Sequence, residues 1–420
     1  MASSEAEVEA APQALRGLRV LEFSSGMAGP WIGRLMAYCG ADVIKVESRR
    51  RPSVVRLYVS PQAPELGIQP TLSPWFTDWD AGKRFVALDL TRPEAVALAR
   101  RLVAVSDVVI ENNSTGVMEK LGLGYDELVQ VRPDLVYFGS SGYGDTGPCR
   151  NYVTWGPNIE AISGLATLSG FPERPCTFTQ FAYPDALSAL HGLFAVLCAL
   201  DHRSRTGEGQ RISLSQFEAT VGALGPLLMQ QLAHGEDPAR LGNASLHAAP
   251  QGCYPCRGED RWCAIQVDDD AAAGRLFDVI GRPAWRTDAR FASLAGRLEH
   301  RATLDEALAA WTRERDAYDV MRTLQHAGIA AGVVQTAEDE WRHDRQLAAR
   351  GFFESIEHLA KGRVLAAGIP LGLTGTPGRT GRAGAAIGQD HDAVFGELLG
   401  MSPEEIRSAV RAGAIEAPDG

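Results

Sequence analysis

An aspartate placed directly after a proline, at the head of a long apolar stretch, is the residue of this chain best suited to covalent chemistry. Asp185 stands in FTQFAYPDALSALHGLFAVLCALDHRSRTGEGQ, in the first turn of a predicted helix. A carboxylate is a weak nucleophile in water, but one held in place and shielded from solvent can attack an activated carbonyl. The partial positive charge and free N–H groups of a helix N-terminus favour its ionised form. Leu187, Leu190, Leu193, Phe194, Leu197 and Leu200 fall all round this helix, which predicts an interior helix with Asp185 at a cleft. The competing reading is that Asp185 only caps the helix, a role aspartate often fills.

A second set of residues could hold an anion. Arg49, Arg50 and Arg51 follow the second predicted strand, Lys83 and Arg84 precede the third, and Lys120 lies just beyond Asn112 after the fourth. Such side chains match phosphate oxygens, so together they predict a socket for a polyphosphate. The chain as a whole carries a formal charge of -11, which argues against nucleic acid or an anionic membrane as its partner.

Other chemistries find no support. SSGMAGP after the first strand has only Gly26 and Gly29, so the dinucleotide fingerprint is missing, and neither a phosphate-binding P-loop, HExxH nor GxSxG occurs. The seven cysteines, at 39, 149, 176, 198, 253, 256 and 263, have no framework spacing and predict reduced thiols. Cys253, Cys256 and Cys263 lack a fourth ligand in a standard zinc pattern, so no metal is predicted.

These residues need a scaffold, and the pattern supplies one. GLRVLEF, ADVIKVES, RFVALDL, DVVIEN and LVYFGSS read as buried strands alternating with helices, one over Gly29–Cys39 and another after Thr91-Arg92-Pro93-Glu94, where Thr91 and Glu94 spell a capping box. That alternation predicts an α/β fold: a doubly wound parallel sheet with ligands at its carboxyl edge. A single long helix is predicted from Ser215 to Leu232, followed by a proline- and glycine-rich linker and a smaller α+β domain. The expected division is a disordered tail over 1–13, a large domain from 14–234 and 345–420, and a linker with the small domain over 235–344. The acidic start shows no export signal and the apolar run Leu187–Leu200 is too short to span a bilayer, so a cytoplasmic protein is expected.

The chain resembles the class III CoA-transferases, the family of formyl-CoA:oxalate and carnitine CoA-transferases, with α-methylacyl-CoA racemase as a relative. The resemblance runs from about Leu18 to Ile415. It is carried by GLRVLEFSSGMAGPWIGRLMAYCGADVIKVE, GKRFVALDL, DVVIENNSTGVMEKLGLGYDEL, SSGYGDTGP, the block from ISGLATLSG through Asp185 to RTGEGQ, and IGQDHDAVFGELLGM. It implies that Asp185 is the aspartate that forms acyl-aspartyl and aspartyl-CoA intermediates. It further implies that Ser25, Met27 and Ala28 touch coenzyme A, that Arg49, Lys83, Asn112 and Lys120 lie at or near the nucleotide and its phosphates, and that two subunits interlock as a dimer. No permanently bound cofactor is implied, because the CoA thioester arrives as a substrate beside a free carboxylic acid.

Three departures shape the expectation. The racemase branch carries a His-Asp pair where this chain has Trp155 and Gly156, so two-base proton transfer lacks a partner. Gly156 also removes an acidic residue that many transferases place near the site. The glycine run that covers the site in the oxalate enzymes is replaced by NASLHAAPQGCYP, which speaks against oxalate. A CoA-transferase is therefore expected. The alternatives are a weakly catalytic subunit of a heteromeric transferase and an acyl-CoA racemase. Trp155 and Phe181 are candidates to line the acyl pocket.

Overall fold

The computed structural model describes residues 12–58, 73–358 and 361–418; most of the expected N-terminal tail, residues 1–11, lies outside them. The chain divides into two compact units. The first comprises Met1–Ala166, Phe178–Met229 and Leu347–Gly420, and the second Thr167–Thr177 and Gln230–Gln346.

The first unit is built on six parallel strands, β1 (Arg19–Phe23), β2 (Asp42–Glu47), β3 (Arg84–Ala87), β4 (Val108–Glu111), β5 (Val136–Ser141) and β6 (Gln210–Ser215), in the order β3-β2-β1-β4-β5-β6. Alternate residues of each strand face opposite layers. Val20, Val43, Val108, Val136 and Phe138 pack with helices α1 (Ala28–Tyr38) and α4 (Tyr183–Thr206). Leu21, Ile44 and Val109 pack on the other side with α2 (Pro93–Ala104) and with Val394, Phe395 and Ile415. Burying each such side chain contributes roughly 1.5–3 kcal/mol, which is why the segments rich in Val, Ile and Leu become the central strands. Strand order reverses between β1 and β4, and the crevice this opens at the carboxyl ends is where such sheets take ligands.

Helix α4 approaches the sheet closely because Gly192 has no side chain: a Cβ there would lie 2.6 Å from Phe138 and 2.7 Å from Ile32. Its opposite face is not interior as the sequence pattern predicts. Leu190, Phe194 and Leu197 are 54%, 69% and 39% exposed. The helix spans 24 residues and is apolar enough by composition to cross a membrane, yet one side of it is packed on the sheet.

Several local expectations change. The expected Thr91–Glu94 capping box does not form, because the Thr91 hydroxyl donates to Asp89 at 2.6 Å and Arg92 takes the N-cap position. On the same helix the Arg100 guanidinium donates to the Gly122 carbonyl. Strand β6 was not read in the sequence, and the helix expected over Ser215–Leu232 is two. These are α5 (Gln216–Ala223) and α6 (Gly225–His234), broken where Pro226 has no N–H to continue the ladder. Short α3 (Gly156–Ile162) precedes α4.

In the second unit, strands β7 (Gln251–Pro255), β8 (Trp262–Gln266) and β9 (Ala330–Val333) form an antiparallel sheet. Its core joins Ile265, Leu276, Phe277, Leu304, Leu308, Val320 and Leu324 from that sheet and from α7 (Asp270–Val279), α8 (Arg301–Arg313) and α9 (Ala317–His326).

Candidate active site

At the switch point, the loops after β1 and β4 are tied to each other. The Ser25 N–H donates to Asn112 Oδ1 at 2.9 Å, and Asn112 Nδ2 donates to the Ser25 carbonyl at 2.8 Å. A side-chain amide thus pairs with a backbone amide, fixing the spacing of the two loops. A cavity of about 550 Å³ opens over them. Its walls include Ser25, Met27 and Asn112, the ends of β5 at Ser140 and Ser141, the aromatic rings of Tyr58, Trp79, Tyr152 and Trp155, and Gln216 beyond β6.

Asp185 lines this cavity. It occupies the first turn of α4, but the N-cap is Ala182, so the plain capping reading does not describe it. The carboxylate is half-buried, and among the described residues it has no ion-pair partner. Burial pushes its pKa up to about 6, while weak hydrogen bonds from the backbone N–H of Ala28, from its own N–H and from the Gln216 side chain hold the rise in check. A carboxylate with that pKa is largely ionised at neutral pH yet incompletely solvated, the condition that makes it a usable nucleophile.

Room for this carboxylate comes from Gly156. A Cβ at that position would lie 2.9 Å from Asp185 Oδ2 and 3.3 Å from the Ala182 Cβ. A bulkier residue would displace the carboxylate, and an acidic one would set like charges together.

Helix α1, which begins with the Ala28 N–H at Asp185, is held from beneath by buried charge. Glu22, Lys45, Asp80 and Lys83 are all inaccessible to solvent. Lys45 bonds Asp80 at 2.8 Å and Glu22 at 3.1 Å, and Lys83 bonds Asp80 at 2.6 Å and Glu22 at 2.9 Å. The Lys83 ammonium also donates to the Pro30 carbonyl, in the first turn of α1, at 2.8 Å. Burial alone would lower the Lys45 pKa, but the carboxylates of Asp80 and Glu22 beside it raise it, so this ammonium stays charged.

The expected site residues therefore separate. Ser25, Met27, Asn112 and Asp185 share the cavity, whereas Ala28 is buried and does not line it, its N–H directed toward Asp185. Lys83 is not available to a phosphate: it precedes β3, on the amino side of that strand, and its ammonium is consumed by two carboxylates and a carbonyl. Arg84 is spent on Asp42. Arg49 is exposed after β2, where its N–H donates to Glu416 at 2.5 Å and its Nε to the Ala417 carbonyl at 2.9 Å. Lys120 is exposed at the end of the short helix Val117–Lys120, and neither it nor Arg49 lines the cavity. Trp155 does line it, whereas Phe181 does not and packs edge-on against Tyr183. Gln216 and Arg150 went unread in the sequence. Recognising QRISLS as a strand would have put Gln216 at its carboxyl end, and Arg150 lies in the glycine turn after β5.

The family model described as CoA-transferase family III matches residues 15–391. The chain belongs to CoA-transferase family III. Among similar family members is the succinyl-CoA–D-citramalate CoA-transferase of Chloroflexus aurantiacus, 32% identical over 94% of this chain and 96% of that protein. The succinate–glutarate CoA-transferase of Agrobacterium fabrum is 30% identical over 91% and 95%. A crystal structure of a CAIB/BAIF family protein from Brucella suis superposes with a TM-score of 0.84 at 30% identity, covering 92% of this chain and all of that one. The enzymes of this family use a CoA thioester and a carboxylic acid as substrates, and the fold read from the sequence is the fold of the family.

Proposed function

We propose that this enzyme moves coenzyme A from an acyl-CoA to a free carboxylic acid through covalent intermediates on Asp185. The observation that carries the reading is a half-buried carboxylate without an ion-pair partner among the described residues, lifted to a pKa of about 6, lining a cavity large enough for the reacting end of a thioester. An Asp185 oxygen attacks the thioester carbonyl, and the tetrahedral adduct expels CoA thiolate to leave a mixed anhydride. The thiolate then attacks the Asp185 carboxyl carbon and releases the first acid, leaving an aspartyl thioester. The acceptor carboxylate attacks that carbon in turn, freeing the thiolate, which takes the new acyl group and restores the Asp185 carboxylate. The Ala28 N–H and the Gln216 amide, which already face the carboxylate, are suited to stabilise the oxyanion at that carbon.

Coenzyme A is assigned to the wall formed by Ser25, Met27 and Asn112, with Ala28 buried next to Met27 and Arg49 and Lys120 as outlying cations for its phosphates. Names of two similar relatives, for succinyl-CoA with citramalate and for succinate with glutarate, favour dicarboxylic acids as the partners. Racemisation is disfavoured, because Trp155 supplies no base and Gly156 supplies no acid beside Asp185. The exposed apolar face of α4, with Leu190, Phe194 and Leu197, supports a homodimer that covers it. Reduced cysteines and an acidic chain fit a cytoplasmic enzyme.

The test is chemical trapping. Protein incubated with succinyl-CoA and hydroxylamine should carry a hydroxamate at residue 185 by peptide mass spectrometry, and Asp185→Ala should lose both the label and turnover. An unlabelled peptide from active protein would remove the covalent mechanism.

A further inference from the structure

Among the described residues, the cavity is lined by one anionic side chain, Asp185, and one cationic one, Arg150. Arg150 sits in the turn after β5, where its backbone N–H closes on the Gly147 carbonyl. Its guanidinium is exposed and, among the described residues, has no ion pair or side-chain hydrogen bond. Several other arginines of the same unit are ion-paired. Arg211 is paired with Asp145 at 2.9 Å, Arg56 with Glu47 at 2.6 Å and Arg34 with Asp78 at 3.2 Å. A guanidinium left without a protein anion beside a cavity is available to a ligand anion, and its planar fork matches a carboxylate.

Position separates this cation from the wall assigned to coenzyme A. That wall comes from the loops after β1 and β4, whereas Arg150 belongs to the loop after β5, which continues through Tyr152, Val153, Thr154 and Trp155 to Gly156 beside Asp185. The same stretch therefore carries the guanidinium at one end, an apolar and aromatic surface in the middle, and the clearance for the nucleophile at the other. A short acid with two carboxyl groups has that pattern in mirror image: one group reacting at Asp185, a methylene chain, and a second charge that needs a partner.

We infer that Arg150 is the specificity-determining residue that binds the distal carboxylate of a dicarboxylic substrate, both as the acyl group of the donor and as the acceptor. The inference rests on the transferase reading of Asp185 but is testable apart from it. A buried or half-desolvated charge without its partner is strongly disfavoured, so removing the guanidinium should weaken dicarboxylic ligands selectively.

The experiment compares succinyl-CoA with butyryl-CoA, which share every atom of coenzyme A and differ in the distal carboxylate. Binding of each is measured by calorimetry to Asp185→Asn protein with and without R150Q, and kcat/KM for each donor is measured in the otherwise unaltered enzyme. Thermal unfolding checks that R150Q folds, as an exposed, unpaired residue should allow. The expected result is that the succinyl-over-butyryl preference falls at least tenfold in both binding and kcat/KM. A parallel loss for both esters would overturn the inference and assign Arg150 to the phosphates they share. An unaltered preference, or no preference in the parent protein, would overturn it as well. Failure of hydroxamate labelling would refute the Asp185 chemistry without touching the binding comparison, so the two ideas fail separately.

Discussion

Replacing Gly156 by alanine tests whether the site depends on the clearance around Asp185. The added Cβ would sit 2.9 Å from Asp185 Oδ2, and relief to an ordinary contact of about 3.4 Å requires the carboxylate to move by about 0.5 Å. Retreat of the new methyl is blocked on its other side by the Ala182 Cβ at 3.3 Å. If a displacement of about 1 Å in a reacting group lowers rate by about 100-fold, half of that corresponds to roughly tenfold, or about 1.4 kcal/mol on the barrier. Stability should move little or improve, because residue 156 opens a helix and alanine is the better helix former by up to about 1 kcal/mol. The assay is paired: the rate of hydroxamate formation from acyl-CoA, which isolates the first attack, and the thermal midpoint. A roughly tenfold slower trap at an equal or higher midpoint is expected. Trapping within twofold of the parent rate, or a loss of rate that follows a fall in the midpoint, would refute the positioning argument.

Further outcomes follow from the same geometry. On the proposed mechanism only the ionised Asp185 attacks, so kcat/KM should fall on the acid side of about pH 6, and Gln216→Leu, which removes a donor that lowers this pKa, should move that limb to higher pH. A limb below pH 5, or one that moves down in the variant, would contradict it. Lys83→Met leaves two buried carboxylates facing one ammonium and should destabilise the fold by about 3–5 kcal/mol in urea unfolding, a loss below about 1 kcal/mol being incompatible with the buried cluster. Phe194→Glu places a charge in the exposed apolar face of α4, and sedimentation should show a dimer becoming a monomer; a parent protein that sediments as a monomer would remove that assignment. His391 accepts a hydrogen bond from the Ala87 N–H, and burial pushes its pKa down to about 4. Unfolded histidine takes its proton near pH 6.5, so stability should drop as pH falls from about 6.5 toward 4, by an amount on the order of 3 kcal/mol at most. His391→Gln should flatten that dependence in thermal unfolding, and an equally steep loss would exclude His391 as its source.

The parallel sheet was legible because its inner strands are buried on both faces, and VLEF, DVIKVE and VVIE advertise this by their density of Val, Ile and Leu, despite Glu22 and Lys45 within them. Strand β6 was not, because it is an edge strand, and QRISLS alternates polar and apolar residues as an exposed edge allows. The placing of Asp185 in the first turn of α4 beside a cavity was legible from its position after a proline ahead of the apolar helix. The fate of Lys83 was not, since a lysine near a strand end reads the same whether it meets solvent or two carboxylates brought in from Glu22 and Asp80. Gly156 illustrates the same limit from the other side: the sequence registers a missing acid, while the coordinates register the volume that its absence leaves for Asp185. The all-round apolar pattern of α4 predicted burial correctly for one face only, because pattern cannot say whether the other face meets the same chain.

The edge of the sheet at β3 has a consequence for biogenesis. Leu88 bridges to Ile415, the Asp89 N–H donates to the Ala414 carbonyl, and Glu416 takes the Arg49 N–H. Ile415 is completely enclosed in the layer that also holds Leu21 and Val109. The ribosome has made every described cavity-lining position, Ser25 to Gln216, long before this clasp can form, so the layer around Leu21 and Val109 stays open along one seam until residues 414–416 arrive to close it.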